Sequence, residues 1–180
     1  PMEESLQEDS IYLTFEETRV LGSLAEKSII TPESYPISLN ALANACNQKT
    51  SRHPKTELSE DEVQEALDSL RFKGLVMRVD LAGSRIPRYQ HKLSEILDLN
   101  RGETALLIVL MLRGPQTVGE LRSRVERLHA FADIVDVEET LATMQQREAP
   151  LTEVIDPPPG QKEIRHYPFP PHHPENSARA

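Results

Sequence analysis

The sequence predicts a mainly α fold with small β-hairpin wings (α+β), organised as two tandem winged helix-turn-helix domains. Three observations predict this fold: helices that begin at recognisable capping residues, a hairpin pattern after every third helix, and an internal repeat of this order. The composition agrees with it. Among the 180 residues, 38% are apolar but only 4% are aromatic, so the core depends on aliphatic side chains, which suit packed helices better than an extended β-sandwich.

The internal repeat is the most informative of the three observations. Three segments of the first half recur in the same order in the second half: "LTFEETRVLGSL" (13–24) as "LNRGETALLIVL" (99–110), "SLNAL" (38–42) as "TVGEL" (117–121), and "EDEVQEALDSL" (60–70) as "IVDVEETLATM" (134–144). Two copies indicate a tandem of domains rather than a solenoid, because a solenoid needs at least three units to be stable.

Capping residues show where the predicted helices begin. In a capping box, a Ser, Thr, Asn or Asp side chain accepts from the backbone N–H three residues later, and a Glu at that later position reaches back. Ser38 is a cap without the Glu, and five sites have the full pattern: Thr14, Ser59, Asn100, Thr117 and Asp136. Apolar residues follow these caps at helical spacing, so each half is expected to contain three helices.

A β-type pattern follows the third helix of each half. Gly74 suits the left-handed position that ends a helix, and two alternating stretches then flank Ala82-Gly83-Ser84, which predicts a hairpin turn. In the second half, "LTEVI" and "KEIRHY" flank the stiffer loop "DPPPG". We therefore expect five segments: a flexible N-terminus (1–11), a first winged-helix domain (12–92), a linker (93–97), a second winged-helix domain (98–168) and a disordered tail (169–180).

Charge, cysteine content and hydropathy limit the classes of protein to which this chain can belong. The net charge is −9, which argues against wholesale coating of nucleic acid but leaves room for a local basic patch. The single cysteine, Cys46, offers neither an internal disulfide nor a metal cluster. No apolar run approaches the roughly 20 residues that span a bilayer, and the acidic start does not resemble a signal peptide. We expect a cytoplasmic protein without membrane contact, cofactor or metal.

Acidic and basic residues separate between the third helix and the hairpin. Residues 57–70 hold six acidic residues and no basic residue, whereas residues 71–92 hold six basic residues and one acidic residue. A helix that reads the major groove faces phosphates and needs positive charge, so this role is disfavoured for the third helix. The hairpin is the better candidate for phosphate or minor-groove contact. The alternative is an exposed hairpin whose Arg residues are only solvated.

The stretch "ACNQKTSRHP" (45–54) has three interpretations: a phosphate-binding loop, a reactive-cysteine site or an ordinary polar connection. Cys46 falls on the apolar face of the second helix with no suitable base nearby, so we expect it to pack in the core. The polar segment 47–56 is longer than most helix connections. It is either a contact surface or a solvated insertion, and we expect a contact surface.

Two helices of the second half carry further hypotheses. The segment "ALLIVLML" (105–112) is apolar nearly all round its helix, more than the core of one domain requires. Burial against the other domain or against a second chain would explain this, and we expect a homodimer. The segment "ELRSRVERL" (120–128) is typical of a solvated face with local ion pairs, with a basic contact strip of Arg122, Arg124 and Arg127 as the alternative.

Several of these motifs together resemble one known family. The segments "TPESYPISLNALANACNQKTSRHP" (31–54), "LSEDEVQEALDSL" (58–70) and "LRGPQTVGELRSR" (112–124) are similar to the YceH family of uncharacterised bacterial proteins. The resemblance covers about residues 12–168. It implies a tandem winged-helix fold in a cytoplasmic bacterial protein. It implies no established activity, so it assigns no catalytic residue to this chain.

The sequence therefore predicts a non-enzymatic, DNA-associated or regulatory protein that contacts nucleic acid through the first hairpin and the 47–56 loop. The alternative is an adaptor that binds other proteins without DNA, its acidic third helices engaging a basic partner. The expected nucleic-acid or partner contacts are the polar and basic residues of these two segments: Asn47, Gln48, Lys49, Arg52, Arg78, Arg85, Arg88 and Lys92.

Overall fold

The structure, a computed structural model, describes residues 12–155 and 165–168. This part of the chain is mainly helical, with seven α-helices, a three-stranded antiparallel sheet and a two-stranded sheet. The first half contains α1 (Phe15–Ile30), a 3-10 turn (Pro32–Ser34), β1 (Ile37–Ser38), α2 (Leu39–Cys46), α3 (Glu60–Phe72), β2 (Val76–Val79) and β3 (Arg88–His91). The second contains α4 (Leu93–Ile96), α5 (Arg101–Arg113), α6 (Val118–Val125), α7 (Ile134–Gln145), β4 (Thr152–Ile155) and β5 (Arg165–Pro168).

Capping residues set the helix starts, as the sequence predicts, with one exception. Full capping boxes form at Thr14, Ser59, Asn100 and Thr117, and Ser38 caps α2 without a Glu. The prediction of a cap at Asp136 was wrong. The helix α7 begins three residues earlier, because the side chain of Asp133 accepts from the backbone N–H of Asp136 at 2.8 Å. Ile134 and Val135 of this first turn are exposed, so they do not belong to the buried apolar face of the helix. The pattern of buried apolar residues therefore did not indicate the extra turn.

The two sheets are small and antiparallel. The first has the strand order β1-β3-β2, with Ile37 opposite Tyr89 and Val76 opposite His91. Gly83 has a φ of 80° in the loop between β2 and β3, which confirms the predicted turn. The second sheet pairs β4 with β5. The expected loop at 156–160 and the expected flexible segments 1–11 and 169–180 lie outside the described residues.

The core runs through both halves without interruption. Helix α5 is buried from Gly102 to Leu112, largely because α1 packs along it. A Cβ built on Gly22 of α1 would lie 3.0 Å from Leu112 Cδ2, so the two helices approach closely. The burial of α5 inside one chain accounts for its apolar surface, and the expected homodimer draws no support from this helix.

The expected linker 93–97 takes part in this core. It contains α4, and Leu93 is fully buried. No helix within residues 12–155 combines the length and the apolar character needed to cross a bilayer.

The same polar contacts recur in the two halves. Glu17, the third residue of α1, accepts from Lys73 Nζ at 2.6 Å and from Ser69 Oγ at 3.2 Å, both on or just after α3. Burial alone would raise the pKa of Glu17, but the contacts with Lys73 and Thr14 together outweigh it and lower this pKa. The second half repeats the cluster between α5 and α7 at the positions aligned in the repeat: Glu103, Thr143 and Arg147.

A buried ion cluster joins α1, the loop after α2 and the turn after α6. The carboxylate of Glu26 is fully buried and accepts from two nitrogens of Arg52 at 2.8 and 2.9 Å, and from Arg127 Nη2 at 2.7 Å. Burial would raise the pKa of Glu26, but Arg52 and then Arg127 lower it below its usual value. A charged group inside a protein requires such partners, because an isolated buried charge is very unfavourable.

Residue His91 of β3 attaches the hairpin to α1 and the 3-10 turn. Its backbone N–H donates to Tyr35 Oη at 2.6 Å, and its Nε2 lies 3.2 Å from Ser28 Oγ. The ring Nδ1 accepts from the backbone N–H of Leu93 at 3.2 Å. Burial lowers the pKa of His91 to about 4, and the charge of Glu95 opposes this only in part. The imidazole is therefore neutral in the folded protein at neutral pH.

We expect Glu26→Gln to lower the free energy of unfolding by about 3–5 kcal/mol, because it leaves the buried guanidinium of Arg52 without a counter-charge. Urea unfolding at pH 7 measures this change. Glu33→Gln removes a carboxylate from an exposed position and serves as the control, with an expected effect within about 0.5 kcal/mol. Equal stability of the two variants would contradict a stabilising role for the cluster.

We expect stability to fall from pH 7 to pH 5 by about 2 kcal/mol on account of His91. The pKa of histidine is about 6.5 in the unfolded chain and about 4 in the fold. The unfolded state therefore takes up the proton first, and the stabilisation present above pH 6.5 is lost as the pH falls towards 4. Urea unfolding of wild type and His91→Gln across this range tests the expectation, since the variant should lose this part of the slope.

Candidate nucleic-acid interface

The hairpin of β2 and β3 carries exposed basic side chains. Arg78 and Arg85 are exposed, and Arg78 Nε donates to Asp80 Oδ1 at 3.1 Å. Exposed pairs of this kind contribute little to stability, so Arg78 is available to another anion. Leu81 and Ile86 flank the tip, with 43% and 57% of their surfaces exposed. The tip therefore presents positive charge beside apolar side chains.

The other two predicted hairpin residues are less available. Arg88 Nη1 donates to the backbone carbonyl of Pro36 at 2.9 Å, and its Nε is buried. Lys92 is half-buried where β3 meets α4. Lys92 lies at the base of the hairpin, and Arg88 is paired with Val79 next to the loop but is held by the Pro36 carbonyl. Arg78 and Arg85 are therefore the accessible basic residues of the hairpin.

The loop after α2 is held in place by backbone and side-chain contacts. Asn47 closes it, because its amide donates to the Leu58 carbonyl and its Oδ1 accepts from the Leu58 N–H, both at 2.8 Å. Arg19 of α1 donates to the Pro54 carbonyl at 2.8 Å, and the N–H of His53 donates to the Leu112 carbonyl at 2.9 Å. Both halves of the chain therefore anchor the loop, and its exposed side chains are presented from a fixed backbone.

Within this loop, the predicted contact residues have different environments. Lys49 is exposed, and Gln48 accepts from Lys27 Nζ at 3.1 Å. Arg52 is only 5% exposed and donates to Glu26 and to the Ala45 carbonyl. The expected contact role of Arg52 does not hold, because every polar contact of its guanidinium lies inside the protein.

The interpretation of this stretch as a reactive-cysteine site is also wrong. Cys46 is fully buried, and burial raises the pKa of its thiol to about 11. The thiolate is the nucleophile and the metal ligand, and it is scarce at neutral pH with such a pKa. The expected packing role is therefore confirmed. Within residues 12–155 and 165–168, no group of three His, Cys, Asp or Glu side chains is placed to hold a metal ion.

An acidic cleft lies between α1 and α3. Its volume is about 390 Å³, and four carboxylates line it: Glu16, Glu17, Glu62 and Glu65. It repels phosphate but suits a basic side chain. Two of the five acidic residues of α3 therefore contribute to this cleft.

Two arginines singled out in segment 120–128 converge with residues from two other segments. Arg124 and Arg127 line a pocket with Arg113 of α5 and Ser51 of the loop after α2. These side chains come from three separate segments, so no spacing in the sequence marks them as a group. The alternative of a basic strip on α6 was the one signal that pointed towards them.

We expect Cys46 to remain unmodified by an aromatic disulfide reagent in the native protein and to react fully in denaturant, because the thiol is inaccessible and protonated. Absorbance at neutral pH counts the released chromophore. Asn44→Cys supplies the control, since Asn44 is exposed on the same helix and this variant should release one equivalent at once. Rapid native labelling of the wild-type protein would contradict the packing role.

Comparison with known proteins places the chain in a family. Residues 13–161 match the family described as "Protein of unknown function, DUF480". A UPF0502 protein of Geotalea daltonii is 52% identical over 150 residues, which cover 83% of this chain and 68% of that protein. A UPF0502 protein of Koribacter versatilis is 48% identical over 157 residues, with coverages of 87% and 73%. The chain belongs to the DUF480 family, whose members include these UPF0502 proteins.

Proposed function

We propose that the chain consists of two winged helix-turn-helix domains and acts as a non-enzymatic, DNA-associated regulatory protein of the cytoplasm. The order α1-β1-α2-α3-β2-β3 and the strand order β1-β3-β2 support a first winged helix. The order α5-α6-α7-β4-β5 and the repeated carboxylate cluster of Glu17 and Glu103 support a second. The resemblance to the YceH family agrees with this fold.

The observation that carries the DNA proposal is the tip of the hairpin between β2 and β3. Along the sequence Arg85 lies between Leu81 and Ile86, which are both exposed, and Arg78 is exposed on β2. Proteins that bind the minor groove combine Arg residues, which follow its negative potential, with apolar side chains that wedge between base steps. This tip has both components. Lys49 on the loop after α2 adds a second exposed basic position.

The acidic α3 limits how DNA approaches. Glu62 and Glu65 face the cleft beside α1, and phosphates near them would be repelled. The proposed contact is therefore made by the hairpin, with α3 turned away from the duplex. It includes Lys49, Arg78 and Arg85, and it leaves out Arg52 because that side chain is buried.

The acidic cleft favours a second candidate function, an adaptor that binds a basic protein segment. The cleft is open, and Lys73 neutralises only one of its carboxylates, Glu17. A Lys or Arg side chain of a partner would find several acceptors there. This candidate requires no DNA contact.

We expect Arg78→Gln/Arg85→Gln to weaken binding to duplex DNA and to make its salt dependence shallower by about 1–2 in the slope of log affinity against log salt, because each lost phosphate contact lowers the slope by about 0.9. Fluorescence anisotropy of a labelled duplex across a salt series measures both quantities. Arg101→Gln/Arg122→Gln removes the same charge from exposed positions of the second half and should keep the wild-type slope.

The two candidate functions predict different results. Lack of DNA binding by the wild-type protein at low salt would overturn the hairpin proposal, as would identical slopes for the two double variants. Binding of an oligoarginine peptide that Glu62→Gln/Glu65→Gln abolishes would then support the adaptor. Loss of DNA affinity in Leu81→Ser/Ile86→Ser without a change in slope would identify the apolar part of the hairpin contact.

A further inference from the structure

A pocket of about 160 Å³ lies where the loop after α2 meets α5 and α6. Five of its side chains are polar, and none of the five is acidic: Ser51, Arg113, Ser123, Arg124 and Arg127. We propose that this pocket binds a phosphate dianion, either inorganic phosphate or the terminal phosphate of a small monoester. The proposal rests on this pocket alone and is independent of DNA contact by the hairpin.

Positive charge exceeds negative charge around the pocket. Arg127 pairs with Glu26, but Arg52 already occupies both oxygens of that carboxylate. Arg124 pairs with Glu120 at 3.2 Å. Two carboxylates, Glu26 and Glu120, therefore face four arginines: Arg52, Arg113, Arg124 and Arg127. This leaves two positive charges in excess. A dianion would balance them.

Among the three arginines of the pocket, Arg113 is the one whose guanidinium lacks a hydrogen-bond or ion-pair partner in the described part of the chain. Its Nε is buried and has no hydrogen-bond partner, and its side chain forms no ion pair within residues 12–155. The pKa of Arg113 is lowered by burial and by the like charges of Arg124 and Arg127, and the charge of Glu120 opposes this only in part. Buried donors of native proteins nearly always have a hydrogen-bond partner. An anion bound in the pocket would provide the acceptor that Arg113 lacks.

The chemistry and the size of the pocket select a phosphate. Guanidinium groups bind phosphate oxygens through paired N–H donors, and the hydroxyls of Ser51 and Ser123 add neutral donors. Pockets for drug-sized ligands measure about 300–1,000 Å³, so this one admits a phosphoryl group and little more. Val109 and Leu112 also line it, and their apolar surface strengthens the electrostatic attraction by excluding water.

The loop side of the pocket is placed by contacts from elsewhere in the chain. Ser51 has a φ of 58°, and its carbonyl accepts from Arg52 Nη1 at 2.9 Å. Arg52 is in turn fixed by Glu26, which also holds Arg127. A bound phosphate would therefore contact the first half through Ser51 and the second half through Arg113 and Arg124.

Isothermal titration of the full chain with sodium phosphate at low chloride tests the proposal. We expect Arg113→Gln to lower the affinity at least about tenfold, since it removes charge-assisted hydrogen bonds. Arg122→Gln changes an exposed Arg of α6 that does not line the pocket and should bind as the wild type does. Ser123→Asp places a negative charge at an exposed position of the pocket rim and should abolish binding even if Arg113→Gln folds poorly.

Further titrations separate the sources of phosphate. Phenyl phosphate that competes with inorganic phosphate would assign the site to a terminal monoester, whereas exclusion of phenyl phosphate would assign it to the free ion. Absence of phosphate binding by the wild type at millimolar concentration would overturn the proposal, as would equal affinity of wild type and Ser123→Asp. A loss of duplex DNA affinity in Arg113→Gln as large as that in the hairpin variant would also overturn it, because the pocket would then be a DNA backbone contact.

Discussion

The buried carboxylate of Glu26 determines how the middle of the molecule is arranged. Burial of a charge is tolerable only when opposite charges and hydrogen bonds surround it, and Glu26 obtains them from two distant segments. Arg52 reaches it from the loop after α2, and Arg127 reaches it from the turn after α6. The loop consequently folds back against the protein, and Ser51 comes to lie beside the arginines of the second half.

The outer surfaces of the molecule separate positive from negative charge. The hairpin presents Arg78 and Arg85, while the cleft beside α3 presents Glu62 and Glu65. Opposite charge on neighbouring elements restricts the orientation of any polyanion, because one surface attracts it and the other repels it. The negative net charge of the chain is thus compatible with a local basic contact.

Local signals in the sequence predicted most of the fold, and long-range contacts explain what they missed. Caps such as Thr14 and Asn100 and the left-handed Gly83 act within a few residues, so they are visible in the sequence. Arg52 was misjudged because a basic residue among polar neighbours suggests solvent, and its partner Glu26 lies on another element. The pocket around Arg113 was missed for the same reason, since its members meet only in the folded chain.

The packing of α1 against α5 joins equivalent helices of the two repeats, with Gly22 close to Leu112. Contact between equivalent elements is the arrangement of an isologous dimer, in which each copy presents the same surface. Here both copies belong to one polypeptide, so the contact requires no encounter between molecules and no loss of translational freedom. The association between the two halves is therefore independent of protein concentration, and dilution leaves it intact.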